Sequence, residues 1–325
     1  MYKFLPLRAR LLYATARNTF SIRNKHILPY IASQGDIELL QHLIDHGIDV
    51  NTTNHWGNTA LHVASNNRNI PMVKLLLDNN ADPNLQDCKG NTPLHLATAN
   101  GHIDIIRLLL NHGPDVNLLS GTNDTALWIA WIKFSENPRQ YFEIIRLLIS
   151  RSAIIEHLKL VDTNSQGFLQ SKSLISEISS LNAFEQQCHA EIKQMKFFCV
   201  GSSGFSFFDM FVLKKDINTI ARCANNLAIV EHMYKFDMHF SLIEEAVEEG
   251  KVRAKMLHGA VESIDEIFES NQDNRQESPT SWLQLPPELK LMILENLSNN
   301  DLIKLQHTNE VEAEAGGAHA IYEKE

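Results

Sequence analysis

Cysteine is scarce in this chain, and long apolar runs are missing. The 325 residues hold four cysteines, Cys88, Cys188, Cys199 and Cys223, with no CxxC pair. A disulfide framework therefore has too little to build on, and a reducing compartment is the simple reading. Those cysteines, with His189, His232 and His239, are metal-capable types. No pair of them has the close gap of a structural zinc site, so no metal is expected. A buried cysteine acting as a small hydrophobe is the preferred reading. No continuous apolar stretch reaches the roughly 18 residues of a membrane span, and no secretory signal with a cleavage site is recognisable. GxGxxG, P-loop, HExxH and GxSxG motifs are missing as well. "GSSGF" at Gly201 is a serine/glycine loop without a partner base. Neither a catalytic residue nor a cofactor is expected.

Acid is missing from the first 25 residues, which carry Lys3, Arg8, Arg10, Arg17, Arg23 and Lys25. That composition resembles a mitochondrial presequence. The plain alternative is a basic leading helix that covers the start of the folded region. The overall charge of −10 is local too: Glu244 to Glu325 holds 18 acids against 7 bases, and the rest is nearly balanced at 21 against 22. An acidic last third argues against nucleic acid as a partner.

What the chain does have is a repeat. Gly57, Gly90 and Asn123 are 33 residues apart, and so are Thr59, Thr92 and Thr125, and Leu61, Leu94 and Leu127. Two clean copies read "GNTALHVASNNRNIPMVKLLLDNNADPN" and "GNTPLHLATANGHIDIIRLLLNHGPDVN". "LPYIASQGDIELLQHLIDHGIDVN" precedes them in register. "TALWIAWIKFSENPRQYFEIIRLLIS" comes after them with six extra residues, since Leu110 to Ile149 is 39 where Leu77 to Leu110 is 33. Each unit reads as helix, tight turn, helix and outward loop. Thr92 stands near a helix start, Pro93 in a permitted first-turn place, and Gly101 at a left-handed stop. Ile103, Ile106, Leu109 and Leu110 recur at helical spacing and should face a core. One unit cannot bury its own apolar face, so units must stack in tandem.

These residues resemble the ankyrin repeat, over 25–153 in about four units. The resemblance implies packed histidines at His62 and His95, not bases or ligands. Trp128 and Pro29 replace them in the outer units. It also implies a target-binding surface at the loop tips and the groove. His55, Trp56, Asp87, Lys89 and Leu119 are the candidate target contacts, with Trp56 foremost as an exposed aromatic on a rigid support. Trp131, Phe134 and Tyr141 flank the insertion and either form a second contact patch or close that end of the stack.

Beyond the repeats the pattern blurs. Residues 154–181 read as a connection, irregular around "HLKLVDTNSQGFLQSKS" with Gly167 as a break. Helical patterning returns over 182–270, with Phe184, Cys188, Ile192 and Met195 on one side, and a helix pair broken or bent at Gly250. Residues 271–280 read as a polar linker. The segment 281–306 contains "LPPELKLMILENLSNNDLIKL", which predicts a helix over about Glu288–Leu297 and a second helix capped by Asn299 with Asp301 in its first turn. Residues 307–325 form an acidic tail expected to be disordered.

That C-terminal stretch resembles the start of an F-box, through Leu285, Pro286, Leu289 and Ile293, extended by Leu297, Asp301 and Leu302. Leu291 and Leu294 matter most, because a helix apolar over more than one stripe needs a second partner. A third F-box helix is missing or degenerate. Ankyrin repeats, a helical region with "CHAEIKQM", "NNLAIVEHMYKF" and "VRAKMLHGAVESIDEIFE", and a terminal F-box-like stretch together resemble the PRANC architecture of poxvirus, intracellular-bacterium and parasitoid-wasp proteins. The implied fold is all-α: an ankyrin solenoid followed by a helical domain ending in a truncated F-box-like hairpin. The implied role is a non-catalytic adaptor in the cytoplasm or nucleus of a host cell. Leu285, Pro286, Leu289, Leu291, Ile293, Leu294, Leu297 and Leu302 would bind a Skp-type linker of a cullin ubiquitin ligase, and the repeats would hold an unknown target. The rival is a binding module that sequesters a signalling factor without ligase recruitment. Exposure of Leu291 and Leu294 favours the adaptor, and burial of both favours sequestration.

Overall fold

A computed structural model describes residues 27–197, 206–209, 217–223, 236, 239–270, 285, 287–299 and 301–303. The basic leader 1–24, the linker 271–280, the tail 307–325 and Pro286 lie outside the described residues. The named elements are helices, and an isolated bridge joins Thr53 and Thr59. Among them, no helix is long and apolar enough to cross a membrane. The chain divides into two compact units, Met1–Ile192 and Lys193–Glu325.

In the first unit, helices come in antiparallel pairs. These are α1 (Ile27–Gln34) with α2 (Ile37–Asp45), α3 (Ala60–Asn66) with α4 (Ile70–Asp78), α5 (Pro93–Ala99) with α6 (Ile103–Asn111), and α7 (Ala126–Lys133) with α8 (Pro138–His157). The first helices pack on one another down the stack, α1 on α3, α3 on α5, α5 on α7. One continuous core runs through all of them, from Leu28 and Leu40 through Leu61, Leu76, Leu94 and Leu109 to Leu127 and Ile145. Local sequence starts and stops each piece. Thr59, Thr92 and Thr125 accept from the backbone N–H three residues on, and Gly101 ends α5 at φ +71. Ile105, Ile106, Leu109 and Leu110 are the buried side of α6, and Ile103 is partly buried against the same core.

Two expectations are corrected. The stretch around Gly167 is not irregular: α9 (Gln166–Glu177) forms there, capped by Ser165 and packed on α7. Gly167 sits in its first turn because a Cβ there would collide with the Asn117 carbonyl oxygen. The glycine permits a close approach and breaks nothing. Phe168, Leu174 and Ile175 are buried, which gives the end of the stack a lid. A following α10 (Ser179–Phe197) buries Cys188, Ile192 and Met195.

The second unit holds α11 (Ile217–Cys223), α12 (Phe240–Ser270) and α13 (Pro287–Leu294). The second correction falls here. α12 is one continuous 31-residue helix, unbroken at Gly250. A Cβ on Gly250 would meet Ile220 Cγ2 at 2.6 Å and the Ile220 backbone at 3.0 Å, so the glycine lets α11 and α12 touch.

Candidate functional site: loop fingers and a clamped C-terminal hairpin

Two surfaces carry the residues singled out from the sequence. The first is a row of loop fingers on the ankyrin unit. Asn54 Oδ1 accepts from the Trp56 and Asn58 N–H groups at 2.9 and 3.0 Å. Asp87 Oδ1 does the same for Lys89 and Asn91, both at 2.8 Å. Ser120 Oγ takes the part for Thr122 and Asp124, both at 3.3 Å. Each side chain thereby imitates a backbone turn. Neighbouring fingers are tied by one backbone hydrogen bond each, Cys88 N to Trp56 O at 2.9 Å and Gly121 N to Lys89 O at 2.8 Å. Gly90 is required at its tip, since its φ is +73 and a Cβ would lie 2.5 Å from the Gly121 nitrogen.

On that rigid row, Trp56 is 70% exposed, which rules out a ring packed over the next loop. His55 and Lys89 are exposed, and Asp87 and Leu119 are half-buried. The Asp87 carboxylate is used inside its own turn, and the Leu119 carbonyl accepts from Gln86 Nε2 at 2.8 Å. Cys88 is an exposed free thiol on the same row.

Beneath the fingers, the histidines are structural. Thr59 N–H donates to His62 Nδ1 at 3.2 Å, which leaves the ring proton on Nε2, and Nε2 donates to Asn91 O of the next repeat at 3.0 Å. His95 repeats this with Thr92 and with Asp124 O at 3.1 Å. Burial holds both imidazoles below the ordinary histidine pKa, more than the nearby carbonyls and carboxylates raise them. A second tie runs parallel: Asn51 Oδ1 accepts from Asp82 N, and Asn84 Oδ1 from Asp115 N, each at 2.8 Å. Asn117 is next in this series but faces α9, and both its side-chain amide atoms are buried without a partner.

The insertion aromatics close the stack. Tyr141 is buried and donates to Ala99 O at 3.1 Å, and Trp131 stacks on Phe134 at 5.6 Å against the core. Glu156, Glu185 and His189 bring ligand atoms within 4.8 Å of one another. The Lys172 ammonium already sits there, 2.6 Å from Glu156 and 2.7 Å from Glu185. Burial lowers its pKa, but the two carboxylates outweigh that and raise it. A positively charged amine held between both carboxylates makes this a partly buried ion-pair network. Neighbouring Cys188 has its thiol pKa pushed up to about 12, by burial first and then by Glu191 and Glu185, so it is inert as a nucleophile.

The second surface is the C-terminal hairpin. Leu294 (4% exposed) and Leu302 (0%) join Leu257 and Ala260 in a small core, with Leu291 and Leu297 partly buried against it. Ile293 is 52% exposed and Leu285 is half-buried. Pro286 lies outside the described residues, as does the side chain of Leu289. The cap of the second helix is Ser298, where Asn299 was expected. Ser298 Oγ accepts from Asp301 N at 3.2 Å and donates to the Asp301 carboxylate at 2.6 Å, a reciprocal cap. Asn299 is taken by another partner. Arg253, 3% exposed on α12, donates Nη1 to Asn299 Oδ1 at 2.7 Å, Nη2 to Leu297 O at 2.6 Å and to Glu295 O at 3.1 Å, and Nε to Asn218 Oδ1 at 3.0 Å. One guanidinium thus satisfies the carbonyls at the end of α13 and bridges α11 and α12. Lys290 adds an ion pair to Asp265 at 2.7 Å. Sequence reading passed over both residues, because a lone Arg and Lys in helical patterns give no signal of their partners.

Comparison with known proteins fits this division. The description "Ankyrin repeats (3 copies)" matches residues 11–87, 28–120 and 71–159, and the description "PRANC domain" matches 202–307. Among similar proteins of fowlpox virus (strain NVSL), the ankyrin repeat protein FPV031 is 31% identical over 163 residues, covering 50% of this chain and 46% of its own length. FPV014 is 28% identical over 161 residues (49% and 36%), and FPV219 is 27% identical over 164 (50% and 35%). The matched stretches span between about a third and a half of these relatives. Ankyrin and PRANC regions are non-catalytic interaction modules. This chain carries ankyrin repeats followed by a PRANC domain.

Proposed function

We propose that this protein is a substrate-recruiting adaptor of a cullin-type ubiquitin ligase. Its ankyrin fingers bind a target, and its F-box-like C-terminal hairpin docks on a Skp-type linker. The observation that carries the reading is α13. Its sequence, PELKLMIL, is apolar on more than one side, and among its described side chains Leu294 is the leucine fully committed to the internal core while Ile293 stays 52% exposed. On a helix anchored by Arg253 and Lys290, the exposed Ile293 is held as a fixed apolar contact on the side away from the Leu291 and Leu294 core. Joining a ligase dock and a target-binding stack on one chain acts through effective concentration, with no chemistry of its own.

One observation favours the sequestering reading. Leu294 is buried against Leu257 and Ala260 and Leu291 is partly buried against the same core, the direction set out for sequestration, and with Leu302 also internal the docking surface is narrower than eight apolar residues. Isothermal calorimetry decides between the two. A purified Skp-type linker is titrated into the intact chain, into a chain truncated after Glu277, and into Ile293→Glu. Saturable binding that is lost in both altered proteins supports the adaptor. Absence of binding at tens of micromolar from a folded chain leaves the ankyrin unit as a binding module in its own right.

A further inference from the structure

α13 is eight residues long, and the helix capped by Ser298 follows it closely. Isolated helices shorter than about 12–15 residues are marginal in water. The hairpin therefore takes its order from what it packs on. Its small core is shared evenly: Leu294 and Leu302 come from the hairpin, and Leu257 and Ala260 come from α12. Without α12 the two leucines would face water.

A polar contact closes each end of that core. In the first turn of α13, Lys290 is 7% exposed and reaches Asp265 of α12 at 2.7 Å. Past the other end of α13, Arg253 of α12 holds the carbonyls of Glu295 and Leu297. Asn218 of α11 adds a second donor to Glu295 O at 3.0 Å and accepts from Arg253 Nε. The twelve positions from Arg253 to Asp265 span about 18 Å of helix. Two contacts that far apart set α13 antiparallel to α12 in one register, because a slip by one turn breaks both. They set its rotation too. Lys290 and Leu294, four apart, are the buried side of α13, and Ile293 is left outside at 52% exposure.

We propose that α12 is a working part of the linker dock. The docking unit is then a composite of residues 253–265 and 287–303, in which Arg253 and Asp265 are positioning residues that hold Ile293 outward before the linker arrives. This rests on the adaptor reading and names what makes its docking surface competent. The physical gain is preorganisation. A linker that meets an unclamped hairpin must order it during binding, which weakens affinity and adds the heat-capacity signature of coupled folding.

The test titrates a purified Skp-type linker into full-length chains by calorimetry at several temperatures. Hydrogen exchange of α13 amides is followed in each chain, free and with linker. The chains are wild type, Arg253→Met, Asp265→Lys, Asp265→Lys with Lys290→Asp, and Lys255→Met as an exposed control on the same helix. Arg253→Met should weaken binding roughly tenfold or more. Its heat-capacity change on binding should be more negative than that of wild type. Its free α13 amides should exchange faster, and linker should slow them again. Asp265→Lys should shift the same readouts in the same direction and by less, and the reversed pair should recover most of the loss. Lys255→Met should change affinity by under about twofold. The Asp265 chains keep the test sound if Arg253→Met disturbs α12 itself. Affinity and heat-capacity change that stay at the wild-type values while α13 exchange accelerates overturn the composite dock and leave the adaptor reading standing. Weaker binding with an unchanged heat-capacity change overturns the positioning role. Unchanged α13 exchange in both single variants overturns the clamp. A folded wild type that fails to bind overturns the adaptor reading, and the docking role of α12 with it.

Discussion

The ankyrin unit and the C-terminal helices both bury helix ends against protein, and they satisfy the orphaned backbone groups in opposite ways. In the ankyrin unit the partners are local or one repeat away, and the same device recurs: a threonine cap, a histidine bonded onward, an asparagine receiving the next loop's N–H. In the C-terminal unit one side chain, Arg253, gathers carbonyls and amides from positions 35 to 46 residues distant. The first arrangement shares its stability among many similar contacts. The second concentrates it in one guanidinium.

That contrast can be broken at its strongest points first. Leu94 is 1% exposed at the middle of the shared core, and Leu94→Ala should cost roughly 2–5 kcal/mol through lost burial and an unfilled cavity. Urea unfolding, with hydrogen exchange read at α3 to α6, checks it. Next stands Arg253→Met, which takes the guanidinium from Leu297 O and from the Asn299 and Asn218 side-chain oxygens, while Glu295 O keeps the Asn218 Nδ2 donor at 3.0 Å. A loss of about 2–4 kcal/mol is expected, by analogy with breaking buried charge-assisted contacts. Exchange of amides in α13 should accelerate correspondingly. Arg253→Lys should recover little of this, because a single ammonium cannot fork to four acceptors.

A gentler perturbation is pH. Burial keeps the His62 and His95 pKa values below the unfolded value near 6.5. The unfolded chain therefore binds more protons as pH falls below about 6.5, and the stabilising contribution present at neutral pH is lost on acidification. Urea midpoints between pH 7 and pH 5 should fall, and the slope should shrink in a His62→Gln, His95→Gln double variant. The smallest effects sharpen the comparison inside the ankyrin unit itself. Asn84→Ala leaves the Asp115 N–H unpaired and should cost about 0.5–1.5 kcal/mol. Asn117→Ala removes amide atoms that already lack partners, and its cost should be smaller, near zero or stabilising.

Much of the ankyrin unit is legible in the chain alone. A period of 33 residues, threonine before α3, α5 and α7, and glycine after α1 and α5 are statements about neighbours in sequence, and the interactions they serve are short-ranged. The end of the stack is not legible in the same way. α9 follows no repeat pattern, and Gly167 looks like a breaker until the Asn117 carbonyl is found against it. Gly250 misleads for the same reason, since a glycine that stops a helix and a glycine that admits a neighbour are the same letter. At the candidate docking surfaces, Trp56 stands out as expected of a residue at a loop tip, 70% exposed. Among the hairpin leucines several have equal claim by pattern, and packing against Leu257 and Ala260 draws Leu294 and Leu302 inward while Ile293 stays out.

By itself the sequence determined the repeat, its register and its caps, because helix period and repeat period are both written along the chain. Tertiary structure decided what closes the stack, which side of α13 meets solvent, and that one buried arginine holds the hairpin. Those outcomes depend on side chains dozens of residues apart arriving at one place, and no local pattern encodes a meeting of that kind.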